Sequence, residues 1–173
     1  MIRVRKGVFE TNSSSTHSIC ISKAPVTTYP KFVNFYMDDY GWERDTIQNT
    51  ASYLYTALLE LGETDNIKKL QEILSEKGIE CRFHVPRKGF EGYVDHAGEL
   101  QDLIEALFND EDLLMRYLFG DDSHIHTGND NECGPEYEDP AYEAEPRVRG
   151  DECKMIDNPL HDPEHYNYFF KGN

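Results

Sequence analysis

The stretch Glu10-Thr11-Asn12-Ser13-Ser14-Ser15-Thr16-His17-Ser18 sets eight consecutive hydroxyl, amide and imidazole side chains between two apolar segments, Val8-Phe9 and Ile19-Cys20-Ile21. Serial hydroxyls and turn N–H groups can form a concave donor surface suited to phosphate. Such loops usually carry glycine for close backbone approach, and this run has no glycine, lysine or arginine. His17 is its most versatile group, able in principle to act as a base for a neighbouring hydroxyl, although catalytic partners generally come from distant positions. Ser, Thr and Asn compete for their own backbone groups, so the run reads as an ordered loop between two short strands and not as core. An alternative reading brings Ser13, Ser14, Ser15 and His17 together with Asp95, His96, Thr127 and Asn129 around a nucleotide or another phosphate-bearing ligand. No residue is assigned a catalytic role. Asp95 and His96 are adjacent, and neighbours on an extended chain point apart, which favours a turn.

His124 and His126 alternate on one face of an expected strand, and Cys133, Cys153, His161 and His165 are the other residues that could complete a metal shell. The spacing matches no standard zinc signature, and Pro163 opposes a helix that would pair His161 with His165. Solvated surface histidines, no metal and no cofactor are therefore expected. A two-histidine phosphodiesterase would need Ser or Thr two residues after each histidine; His17, His124 and His126 are followed there by Ile19, His126 and Gly128.

The positioning elements follow from periodicity. Alternation predicts strands over 2–5 and 19–22, and Phe32-Val33-Asn34-Phe35-Tyr36 is a third. Ile47, Ala51, Leu54, Leu58 and Leu61 recur at helical spacing and predict an amphipathic helix over 44–61, ended by Gly62. Thr64 or Asp65 can cap a second helix carrying Ile67, Leu70, Ile73 and Leu74, which Gly78 stops. A strand over 79–85 follows. Leu100, Leu103, Ile104, Leu107 and Phe108, then Leu113, Leu114, Tyr117 and Leu118, predict a second helical pair, with Asn109 or Asp110 as a cap. Ser123-His124-Ile125-His126-Thr127 reads as a strand running into a polar turn. Trp42 is expected to anchor the long helix against the sheet.

Residues 130–145 hold seven acids, no base and two prolines, a composition that gains too little from burial to offset the cost of ordering. The aromatic end Tyr166-Asn167-Tyr168-Phe169-Phe170 is expected to return as an edge strand or a docked segment. The expected fold is α+β: a mixed or mostly antiparallel sheet with a helical hairpin and a second helical pair over 1–128, then an acidic irregular region over 129–173.

Thirty-three acids against 17 bases give a formal net charge of −16 in 173 residues. This surface repels phosphate backbones and anionic membranes, whereas a basic protein surface would be drawn to it. Cys20, Cys81, Cys133 and Cys153 form no C-x-x-C pair, and the first residues lack the apolar core of a signal peptide. No apolar run approaches a membrane span. A soluble protein of a reducing cytoplasm is expected.

Five blocks in order, Val8-Phe9-Glu10-Thr11-Asn12-Ser13-Ser14-Ser15-Thr16-His17-Ser18, Tyr40-Gly41-Trp42, Ala51-Ser52-Tyr53-Leu54, Gly92-Tyr93-Val94-Asp95-His96 and Thr127-Gly128-Asn129-Asp130-Asn131, carry a resemblance. The chain resembles an uncharacterised family of phage, prophage and host bacterial proteins. The resemblance implies a mobile-element setting and no particular chemistry. By analogy with small acidic phage proteins, it suggests an anti-CRISPR-like inhibitor that covers the basic groove of a host defence nuclease, as a nucleic-acid mimic would. The residues expected to meet that partner are Asp38 and Asp39, then Asp110, Glu111 and Asp112, then Asp130, Glu132, Glu136, Glu138 and Asp139.

Overall fold

The computed structural model describes residues 15–41, 45–84, 92–129 and 162–171, with the side chains of Asp45, Asn129 and Phe170 left aside. The expected strand at 2–5, Ser13, Ser14, Trp42, Cys133, Cys153, His161 and the acids between Asp130 and Asp139 lie outside the described residues.

The architecture is α+β. A four-stranded antiparallel sheet has the order β3-β5-β1-β6, formed by Asp45–Ile47, His124–Asn129, Ser15–Ser22 and Tyr166–Lys171. A separate parallel pair joins β2 (Phe32–Tyr36) to β4 (Glu80–His84). The helices are α1 (Thr50–Glu60), α2 (Thr64–Glu76), α3 (Gln101–Asn109) and α4 (Glu111–Phe119), with a 3-10 turn at Ala97–Leu100. The aromatic end is thus an edge strand of the main sheet.

The hydroxyl-rich run departs from the expected loop at Ser15, where β1 begins, and Ser15, His17 and Ser18 are buried while Thr16 is half-buried. Ser15 and His17 are 1% and 0% exposed. In the central strand of the sheet, backbone groups pair on both sides, with β5 and with β6. Local self-capping then loses its advantage, provided each buried side chain finds a partner. Alternation splits the strand. Ser15, His17, Ile19 and Ile21 fall on one face, and Ile19 and Ile21 belong to the main apolar cluster with the helices. Ser18, Cys20 and Ser22 fall on the other.

The helix expected over 44–61 starts late. Ile47 pairs with Ile125 in β3, and the Asn49 side chain accepts from the Ser52 N–H to open α1. Nor is α1 amphipathic: every residue from Thr50 to Leu58 is buried, so it is a central helix, apolar or internally satisfied all round. Thr50 Oγ1 donates to the Tyr117 carbonyl at 2.6 Å and Tyr117 Oη donates to the Thr50 carbonyl at 2.9 Å, locking α1 to α4. The amphipathic α2 instead buries Leu70, Ile73 and Leu74. Gly62 and Gly78, with φ of 72° and 74°, end α1 and α2 in the left-handed region that glycine enters without strain. Among the described residues no helix is long and apolar enough to cross a membrane.

Candidate functional site

At one end of the sheet, the helix-facing side collects most of the polar residues singled out in the sequence. Lys171 of β6 stands opposite His17 of β1 in register, and Thr127 of β5 stands opposite His17 on the other side. Asn129 pairs with Ser15 at the backbone. The Lys171 ammonium is buried and donates to the Ser15 carbonyl at 3.2 Å and to Ser15 Oγ. Burial pushes its pKa down to about 8, opposed by the carboxylates of Asp95, Glu99 and Glu60.

His17 is held at both nitrogens. Gly41 offers a carbonyl 2.8 Å from Nε2, so Nε2 carries the proton and donates; Nδ1, 2.6 Å from Tyr53 Oη, accepts the phenolic hydrogen. Burial, and after it the Lys171 cation, lowers the pKa to about 4. A neutral imidazole with its lone pair already engaged cannot serve Ser15 as a base. Burial also raises the Tyr53 pKa well above that of a free phenol, keeping it a donor.

Asp95 and His96 reach this neighbourhood through a backbone link. Tyr40 bridges Val94, the Tyr40 N–H donates to the Tyr93 carbonyl at 2.7 Å, and the Asp95 N–H donates to the Tyr40 carbonyl at 2.9 Å. His96 has φ of 53°, and its ring lies between Asp95 and Glu99 at 3.9 and 3.7 Å. Glu60 accepts the Val94 N–H at 2.8 Å. Ser15, His17, Asp95, His96 and Thr127 are thus neighbours, and the chemistry around them differs from a phosphate cradle. Among the described residues its cation is Lys171, whose charge is favoured by the carboxylates of Asp95, Glu99 and Glu60. Lys171 itself was missed by sequence reasoning; its signal is a single base closing an aromatic strand. Ser15 and Lys171 form a hydroxyl–amine pair of the type that can activate a serine, and both are 1% exposed.

The opposite face of the same sheet gathers Cys20, His124 and His126, whose ligand atoms lie within 4.8 Å of one another. The two histidines share a face, as their alternation implies. Their companion is Cys20, across from His124, whereas His165 pairs with Asp162 at 2.6 Å.

The acids divide. Asp38 and Asp39 are exposed just beyond β2. Asp110 is the N-cap of α4, accepting the Leu113 N–H at 3.1 Å, while Glu111 pairs with Lys77 at 3.4 Å and Asp112 with Arg116 at 2.9 Å. All three thus have partners within the fold, and Glu111 and Asp112 remain exposed. In the strand that leads to Asp38 and Asp39, Phe32 and Tyr36 are 42% and 44% exposed on the outer face of the β2–β4 pair. Arg82 lies 3.8 Å over the Phe32 ring, and His84 stacks on Tyr36 at 4.4 Å. Comparison with family models, curated proteins and solved structures returned no match.

Proposed function

We propose that this chain is a protein-binding module that docks on a basic surface of a partner, as a phage-type inhibitor of a nucleic-acid-processing defence protein in the host cytoplasm. One observation carries the reading: the strand that exposes Phe32 and Tyr36 runs, two residues after Tyr36, into the exposed pair Asp38 and Asp39, on a protein of net charge −16. Exposed aromatics flanked by acids suit arginine, which stacks on the ring and pairs with the carboxylate. Arg82 above Phe32 is an internal example of that stacking. The acidic field would speed the encounter, and the aromatics would supply the affinity. Such a partner would use the same basic surface for nucleic acid, so binding would be competitive.

The test is affinity capture from a host lysate with the wild-type chain and with the triple variant Tyr36→Ala, Asp38→Asn, Asp39→Asn. The reading requires a partner retained by the first, lost with the second, and displaced by its own nucleic acid. Capture unaffected by the triple variant, or by added nucleic acid, would overturn it.

The Ser15–Lys171 pair favours a second reading, an acyl-transfer enzyme with Ser15 as nucleophile and Lys171 as base. A serine-directed fluorophosphonate probe would then label Ser15, and Lys171→Met would abolish labelling. An unlabelled Ser15 in the folded protein removes that reading.

A further inference from the structure

We propose that Cys20, His124 and His126 form a binding site for one divalent transition-metal ion, zinc in the first instance. The three come from the two central strands of the sheet. His124 stands directly opposite Cys20 and His126 directly opposite Ser18, so register alone places the thiol and both imidazoles on one face.

The hydrogen bonds away from the cluster orient both rings. The Asp122 carbonyl lies 2.5 Å from His124 Nδ1 and can only accept, which puts the His124 proton on Nδ1 and leaves a lone pair on Nε2. His126 Nδ1 lies 3.0 Å from Thr46 Oγ1, a hydroxyl able to accept its N–H once Nε2 is committed to a metal. A ligating histidine ordinarily has such a partner on its second nitrogen. The two Nε2 atoms face each other at 2.9 Å. On a tetrahedral zinc with Zn–N of 2.0–2.1 Å they would stand about 3.3 Å apart, so the rings need to open by only a few tenths of an ångström. Sγ and Nε2 would lie about 3.5 Å apart on such an ion. The present limit of 4.8 Å asks the Cys20 side chain to move in by about an ångström.

Two imidazoles and a thiol match zinc, whose sites combine sulfur and nitrogen, better than magnesium or calcium, which prefer oxygen. Binding exchanges the thiol proton for the S–metal bond and releases that proton to solvent. Three protein ligands leave a fourth position for water or a small ligand, the pattern of an open site.

The test uses the full chain, stripped with a chelator and titrated with Co2+. The proposal expects one equivalent to produce the visible absorption of tetrahedral cobalt and a thiolate-to-cobalt charge-transfer band, both abolished by zinc. Cys20→Ser should remove the charge-transfer band, the double variant Cys133→Ser, Cys153→Ser should keep it, and Thr46→Val should weaken affinity about tenfold or more. An octahedral spectrum, a band that survives Cys20→Ser, or a band lost in the double variant overturns the site. If Cys20→Ser does not fold, His124→Gln decides, since its position is only half-buried: affinity must fall at least tenfold, and unchanged affinity refutes the assignment.

Discussion

His17 illustrates how a residue suited to catalysis becomes a structural one. Its proton is committed to Gly41 and its lone pair to Tyr53, with the ring buried between them. The folded pKa of about 4 lies below the unfolded value of 6.5, so only the unfolded state takes up a proton as pH falls through that interval. The contribution is intact above pH 6.5 and is lost progressively toward pH 4, by about 3 kcal/mol in full. Melting temperature should therefore drop steeply between pH 7 and 5 and less steeply in His17→Gln; equal slopes would mean that another group governs acid stability. Ser15→Ala removes a hydroxyl from a buried ammonium and should cost about 1–3 kcal/mol. A melt unchanged by that substitution would show the Lys171 contact to be dispensable. Sequence reasoning singled out both residues, but it could not supply their partners, because Tyr53, Gly41 and Lys171 are separated from them by tens of residues or more.

Element boundaries were legible where local chemistry decides them. Gly62 and Gly78 end helices, and Asp110 caps one; Asp110→Ala should destabilise the fold by about 1 kcal/mol in denaturant melts. Asp112→Asn, which weakens an ion pair whose carboxylate is solvent-exposed, should cost less, about 0.5 kcal/mol. A larger loss at Asp112 than at Asp110 would contradict this ranking. Boundaries were misread where tertiary pairing overrides pattern. Ile47 continues the spacing of α1 by coincidence, yet it pairs with Ile125, and β1 became a strand because two partners satisfy its backbone. Gly92 shows a constraint of another kind. A Cβ there would meet the Asp38 backbone at 2.6 Å, so Gly92→Ala should push the Tyr40–Val94 bridge apart and lower stability more than Asp110→Ala does. Equal melts for the two variants would show that the backbone there yields freely.

At the scale of the whole molecule, the α+β class followed from periodicity, whereas the pairing order of the strands had no local signal. Charge argues about encounters and not about fold, so the binding proposed for Asp38 and Asp39 should weaken as salt rises, while the contribution proposed for Tyr36 should persist. A salt titration comparing Tyr36→Ala with the Asp38→Asn, Asp39→Asn pair checks this, and equal salt slopes for wild type and the double Asn variant would exclude the acids. The strand order also has a consequence for how the chain acquires its shape. The central strand, complete by Ser22, pairs with residues 124–129 and 166–171, so more than a hundred residues must be synthesised before either neighbour exists. During translation its two edges stand open, a template for the wrong strand. Closing such distant pairings should be slow, and refolding after dilution from denaturant should be far slower than that of a helical bundle of this size. The growing chain is therefore most exposed to aggregation before its last strand emerges.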